Sequence, residues 1–162
     1  MIANVDAKQV MEYVIKPALN RLEPHIPFTH SAAQLVLGTG LKESGGFKWI
    51  DQRDKLNKPG PAYGFWQMEG PTFSDHFNRL TPGLKQAISG MMMGMPGVRE
   101  LHGNMYLAAA MCRIVYWHAP EMIPLSGDFV GMCALWKKRY NTPLGAGTEE
   151  EALPWFQYAC TL

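Results

Sequence analysis

Apolar residues recur at spacings of three and four along most of the chain, the helical period. Val10, Met11, Val14, Ala18 and Leu22 mark an amphipathic helix over residues 6–22, with Asp6 as its cap. Pro17 lies inside that run and should kink it or split it in two, because proline removes a donor and crowds the preceding turn. A second helix is predicted over 31–44. Ser31 and Gln34 fit a capping box at its start, and Leu35, Val36, Leu37 and Leu41 give it a broad apolar surface. Gly38 and Gly40 inside it point either to close approach of a neighbour or to a weaker helix.

From Gly45 to Gly70 the period disappears into a mixture of glycine, proline, aromatic and charged residues. An irregular stretch this long in a compact domain is either functional or mis-assigned. Short strands are predicted around Lys48–Ile50 and Tyr63–Met68. Helices resume over 72–80 and 82–93, with Pro71 and Pro82 at starting positions. Residues 89–98 read as an interhelical turn on the core. Residues 104–118 form a nearly all-apolar central helix, and Asp128 caps another that runs to Tyr140. Thr148 and Glu151 make a second capping box, opening a short C-terminal helix around Trp155 and Phe156. The fold class is mainly α: one domain over 1–162, with at most a small β-element in the 45–70 segment.

Composition narrows the function classes. A chain of 162 residues with 47% apolar and 18% charged residues suits one globular domain. A net charge of +1, with Lys137-Lys138-Arg139 as the longest basic run, argues against wholesale electrostatic capture of nucleic acid. Cys112, Cys133 and Cys160 are odd in number and lack a CxxC pair, so neither a zinc site nor a complete disulfide framework is indicated. Cys112 and Cys133 are read as buried free thiols. The five histidines show no HExxH or comparable ligand spacing, and no cofactor or metal is implied. The free thiols suit synthesis in a reducing compartment, and with no apolar tract of transmembrane length and no secretory pattern at the N-terminus, synthesis in the bacterial cytoplasm is expected.

The candidate chemistry lies at Glu43, where a helix ends and a Gly-rich aromatic loop begins. A carboxyl walled by apolar groups at the negative end of a helix dipole holds its proton above the usual range, as a general acid requires. Trp49, Tyr63, Phe65 and Trp66 are aromatic candidates for stacking on a ligand; Phe65 or Tyr63 is expected in the groove and Trp66 in the core. Asp51, Asp54 and Glu69 are the loop carboxyls available as a second catalytic group.

Three segments in order, LKESGGF, GPAYGFWQMEGPTF and LWKKRYNTPLGAG, resemble the lysozyme-like superfamily. The likeness is to its soluble lytic transglycosylase and goose-type lysozyme group, and most of all to short phage-encoded proteins. The resemblance covers about residues 14–155. It implies a lysozyme-like fold that cleaves peptidoglycan glycan strands, with Glu43 acting first as acid and then as base. It places Ser44 beside that acid in a Glu-Ser pair, in contact with the sugar, and Gly64 and Gln67 in the floor of the sugar groove. Tyr140 is implied to steer the glutamate, with Asn141 as its companion. The interval from Glu43 to Gln67 is longer than in that pattern, and Thr142-Pro143 replaces small residues. The implied setting is a virion-associated protein that acts at the host wall beside other phage virion proteins. The competing expectation is an inactive virion structural or assembly protein on the same scaffold.

Overall fold

The computed structural model describes residues 5–53, 58–94 and 97–162. The fold is mainly helical with a small antiparallel sheet. The N-terminal helical run comprises α1 (Ala7–Val10), a π-helical turn (Met11–Ile15) and α2 (Lys16–Asn20). Asp6 caps it by accepting from the backbone N–H of Lys8 at 2.8 Å. The wider π-turn lies directly before Pro17, where an α-helical ladder would lose its donor, so the run continues through the proline.

Helix α3 (His30–Ser44) is the central element and is buried over most of its length. Its cap is Thr29, whose hydroxyl accepts from the Ala32 N–H at 3.1 Å; the expected Ser31–Gln34 capping box does not form. Gln34 is instead a buried cross-link. Its amide oxygen accepts from Ser126 Oγ at 3.0 Å and from the Gly127 N–H at 3.1 Å, and its nitrogen donates to the Cys160 carbonyl at 3.3 Å. Gly38 settles the choice between close packing and a weak helix. A Cβ there would lie 2.4 Å from the ring of Phe156.

Phe156 belongs to α8 (Glu149–Ala159), which opens with the Thr148–Glu151 capping box and packs on α3 and on α7 (Phe129–Trp136). Asp128 caps α7 by accepting from the Gly131 N–H at 2.9 Å. Helix α7 does not run evenly to Tyr140; beyond Trp136 it loosens into a second π-turn, Lys137–Asn141. Helix α6 (Met105–Trp117) supplies the other side of the core, with Cys112 and Cys133 buried as free thiols. Helices α4 (Gly70–Asn78) and α5 (Pro82–Ser89) each begin with a proline in the first turn, and a 3-10 turn covers Gly97–His102. The core cluster draws on residues from Ala7 through Ala159.

The sheet corrects the predicted strands. Its members are β1 (Asp51–Arg53), β2 (Pro59–Tyr63) and β3 (Met68–Glu69), paired antiparallel in that order. Tyr63 pairs with Met68 and Ala62 with Glu69, so residues 64–67 form the connecting turn rather than strand. Gly64 (φ 72°) and Gln67 (φ 47°) both adopt left-handed conformations, and the Gln67 N–H returns to the Gly64 carbonyl at 2.9 Å. Among the described residues, no helix is long and apolar enough to cross a membrane.

Candidate active site

Glu43 lies in the last turn of α3, and the chain leaves that helix sharply. Gly45 (φ 62°) and Gly46 (φ 79°) adopt left-handed conformations, and the Gly46 N–H closes on the Leu41 carbonyl at 2.8 Å. Ser44 fastens this exit. Its buried hydroxyl donates to the Gly40 carbonyl at 2.6 Å and accepts from the Phe47 N–H at 2.7 Å. A sugar contact for Ser44 is therefore corrected to a structural tie.

The half-buried Glu43 carboxyl accepts a hydrogen bond at Oε1 from the indole Nε1 of Trp136, at 2.8 Å. Burial pushes its pKa above the ordinary glutamate value; the Trp136 hydrogen bond and the Lys42 charge offset part of that rise. Lys42 is engaged elsewhere as well, its Nζ 3.3 Å from Glu151 Oε2. The result is a carboxyl biased toward its protonated form beside an open space.

That space is a cleft of about 400 Å³. Glu43, Gln67, Tyr140 and Asn141 all line it, although the sequence separates them widely. Lys42, Glu69, Trp136, Ala146 and Gly147 complete much of the wall.

The cleft's polar groups are held from behind. The Gln67 amide nitrogen donates to the Gly64 carbonyl at 2.6 Å and the Ile50 carbonyl at 3.1 Å. Its donors are thus committed, and only its carbonyl oxygen remains for a ligand. The Tyr140 hydroxyl donates to the Trp66 carbonyl at 2.7 Å, not to Glu43. Burial first, then the neighbouring Cys112 and Glu43, push that hydroxyl well above the usual tyrosine pKa, so it stays a neutral donor. Lys137 Nζ donates to Asn141 Oδ1 at 2.8 Å and to the Gly145 carbonyl at 2.9 Å, fixing the loop that rims the cleft.

Other expected residues lie elsewhere. Phe65 is buried, its ring edge-on to Phe47 with centroids 5.4 Å apart, and is no groove residue. Gly64 is buried too. A Cβ there would stand 2.3 Å from the Leu101 carbonyl oxygen, so glycine permits a backbone approach behind the groove rather than forming its floor. Tyr63 packs against the His102 ring at 4.9 Å, and Trp66 lies in the core with its N–H on the Val36 carbonyl at 2.8 Å. The aromatic residues lining the cleft are Tyr140, which is partly exposed, and Trp136, which is fully buried behind Glu43. Trp136 escaped the sequence reading, because an apolar helix at positions 129–136 reads as plain core. The available signal was that a buried indole N–H must find an acceptor.

Of the loop carboxyls, Glu69 lines the cleft and is exposed, Asp51 pairs with His102, and Asp54 lies outside the described residues. Beyond Tyr140 and Asn141 a second hollow, about 510 Å³, shares Gln67 and Glu69 with the first and continues past Thr72 and His76. Among the described residues, no group of three or more His, Cys, Asp or Glu is placed to hold a metal ion. No family model, curated protein or solved structure matches the chain.

Proposed function

We propose that the chain is a muralytic enzyme. It cleaves the β-1,4 bond between N-acetylmuramic acid and N-acetylglucosamine in peptidoglycan, and it does so as a lytic transglycosylase of the phage type that the sequence resembles. The observation that carries this reading is a partly buried Glu43 with a raised pKa, in one cleft with Gln67, Tyr140 and Asn141. A carboxyl whose pKa is raised by burial is suited to protonating a glycosidic oxygen.

Glu43 donates its proton to the bridging oxygen as the bond to C1 of the muramic sugar breaks. The 6-hydroxyl of that sugar then attacks C1, its proton passes to the Glu43 carboxylate, and a 1,6-anhydro ring closes without water. One carboxyl suffices for this course, whereas hydrolysis normally uses two. Among the described residues Glu69 is the other carboxylate on the cleft wall, and it is exposed where Glu43 is partly buried. The Gln67 carbonyl oxygen faces a ligand as an acceptor for N-acetyl N–H or hydroxyl groups.

The test is clearing of purified cell walls by Glu43→Gln and Glu69→Gln proteins. The proposal expects Glu43→Gln to fold and lose clearing, and Glu69→Gln to keep it. Loss in Glu69→Gln alone replaces the transglycosylase course with a hydrolytic one. Glycan binding without any clearing by the unaltered protein favours an inactive virion scaffold instead.

A further inference from the structure

Tyr140 is the residue that the family likeness would assign to steering Glu43, yet its hydroxyl is committed to the Trp66 carbonyl at 2.7 Å. The group that does touch the carboxyl is the indole of Trp136, at 2.8 Å from Oε1. This ring cannot easily turn away. Trp136 is fully buried, it leans on Phe156 with centroids 6.2 Å apart, and a Cβ on Gly147 would come within 3.0 Å of it. On one face the Lys42 ammonium stands 5.8 Å from the ring centroid, tethered in turn to Glu151.

We propose that Trp136 is the positioning residue for Glu43, fixing which carboxyl oxygen carries the transferable proton. An indole N–H only donates, so the oxygen it meets must act as an acceptor. That makes Oε1 the carbonyl oxygen of the protonated acid and leaves the proton on Oε2. Oε2 takes no hydrogen bond from the described residues and is therefore free to serve the cleft. After the proton has left, the same N–H steadies the carboxylate, ready for the returning proton. The catalytic consequence rests on the muralytic reading above; the contact itself does not.

The experiment replaces Trp136 with β-(3-benzothienyl)alanine, which keeps the ring volume and removes the donor, alongside W136F. Carboxyl-carbon NMR follows the titration of Glu43, and muropeptide release gives kcat and KM against pH. We expect the Glu43 titration and the alkaline limb of kcat to move upward together. We also expect kcat to fall at least about tenfold with KM little changed, the scale of a lost hydrogen bond to a charged group. An unmoved titration, or an unmoved pH profile with full kcat, overturns the proposal even if W136F unfolds. An upward titration shift in a protein that releases no muropeptides would uphold the positioning contact and overturn the muralytic reading.

Discussion

The Tyr140 hydroxyl donates to the carbonyl oxygen of Trp66 at 2.7 Å, joining the turn after α7 to the turn between β2 and β3. Both segments contribute residues to the cleft lining, so this hydrogen bond ties two distant parts of it together.

Removing that hydroxyl in Tyr140→Phe leaves the Trp66 carbonyl without this partner inside the protein. The expected cost is about 1–3 kcal/mol of stability, with a looser cleft and weaker glycan binding. Denaturant unfolding checks the first and chito-oligosaccharide titration the second. An unchanged unfolding midpoint would show that the bond contributes nothing.

The partly buried Glu43 carboxyl opposes stability when it ionises. Burial raises its folded pKa, so the unfolded chain ionises first as pH climbs. Its contribution is neutral below the unfolded glutamate value, and a penalty builds as pH rises through the interval up to the folded value. Glu43→Gln removes the charge while keeping an acceptor for Trp136. Its melting temperature should exceed that of the unaltered protein at neutral pH, and the gap should close in acid. A variant less stable than the parent at pH 7 would contradict the raised pKa.

His76 and His118 make a second pH-sensitive feature at the outer hollow. Their rings stack with centroids 5.1 Å apart and share a hydrogen bond of 2.8 Å between Nδ1 atoms. Burial, then the His118 and Arg79 charges, push the pKa of His76 down to about 4. The unfolded chain takes up its proton near the ordinary value of about 6.5, while the folded protein resists. Stability should therefore decline as pH falls from about 6.5 toward about 4. Proton NMR of the His76 ring is the check, and a midpoint near 6.5 would refute the effect.

Local signals in the sequence were the readable ones. Asp6, Asp128 and the Thr148–Glu151 box each cap the helix they announce, because a cap involves neighbours within one turn. The start of α3 departs from its predicted capping box for the opposite reason: Gln34 bonds to residues 126, 127 and 160, which no local pattern reveals. The strands were displaced because β2 is written with Pro59, Gly60 and Pro61, poor strand formers placed at a sheet only three strands wide. Left-handed Gly64 and Gln67 then turned an apparent strand into a hairpin turn.

The cleft was legible in part. Glu43, Gln67, Tyr140 and Asn141 are the residues that the family resemblance implies, and all four line one cleft. What spacing could not convey is direction. Phe65 and Gly64 sit beside Gln67 in sequence yet face the core and Leu101, and the Tyr140 hydroxyl points at backbone. Trp136, Lys42 and Gly147 reach the cleft only through the packing of α3, α7 and α8.

Mass spectrometry of the soluble fragments released from purified sacculi is the sharpest check on Glu43 as a glycan-cleaving acid. The unaltered protein should release muropeptides ending in 1,6-anhydro-muramic acid, and Glu43→Gln should release none. Equal release by both proteins, or none by either, would contradict the account.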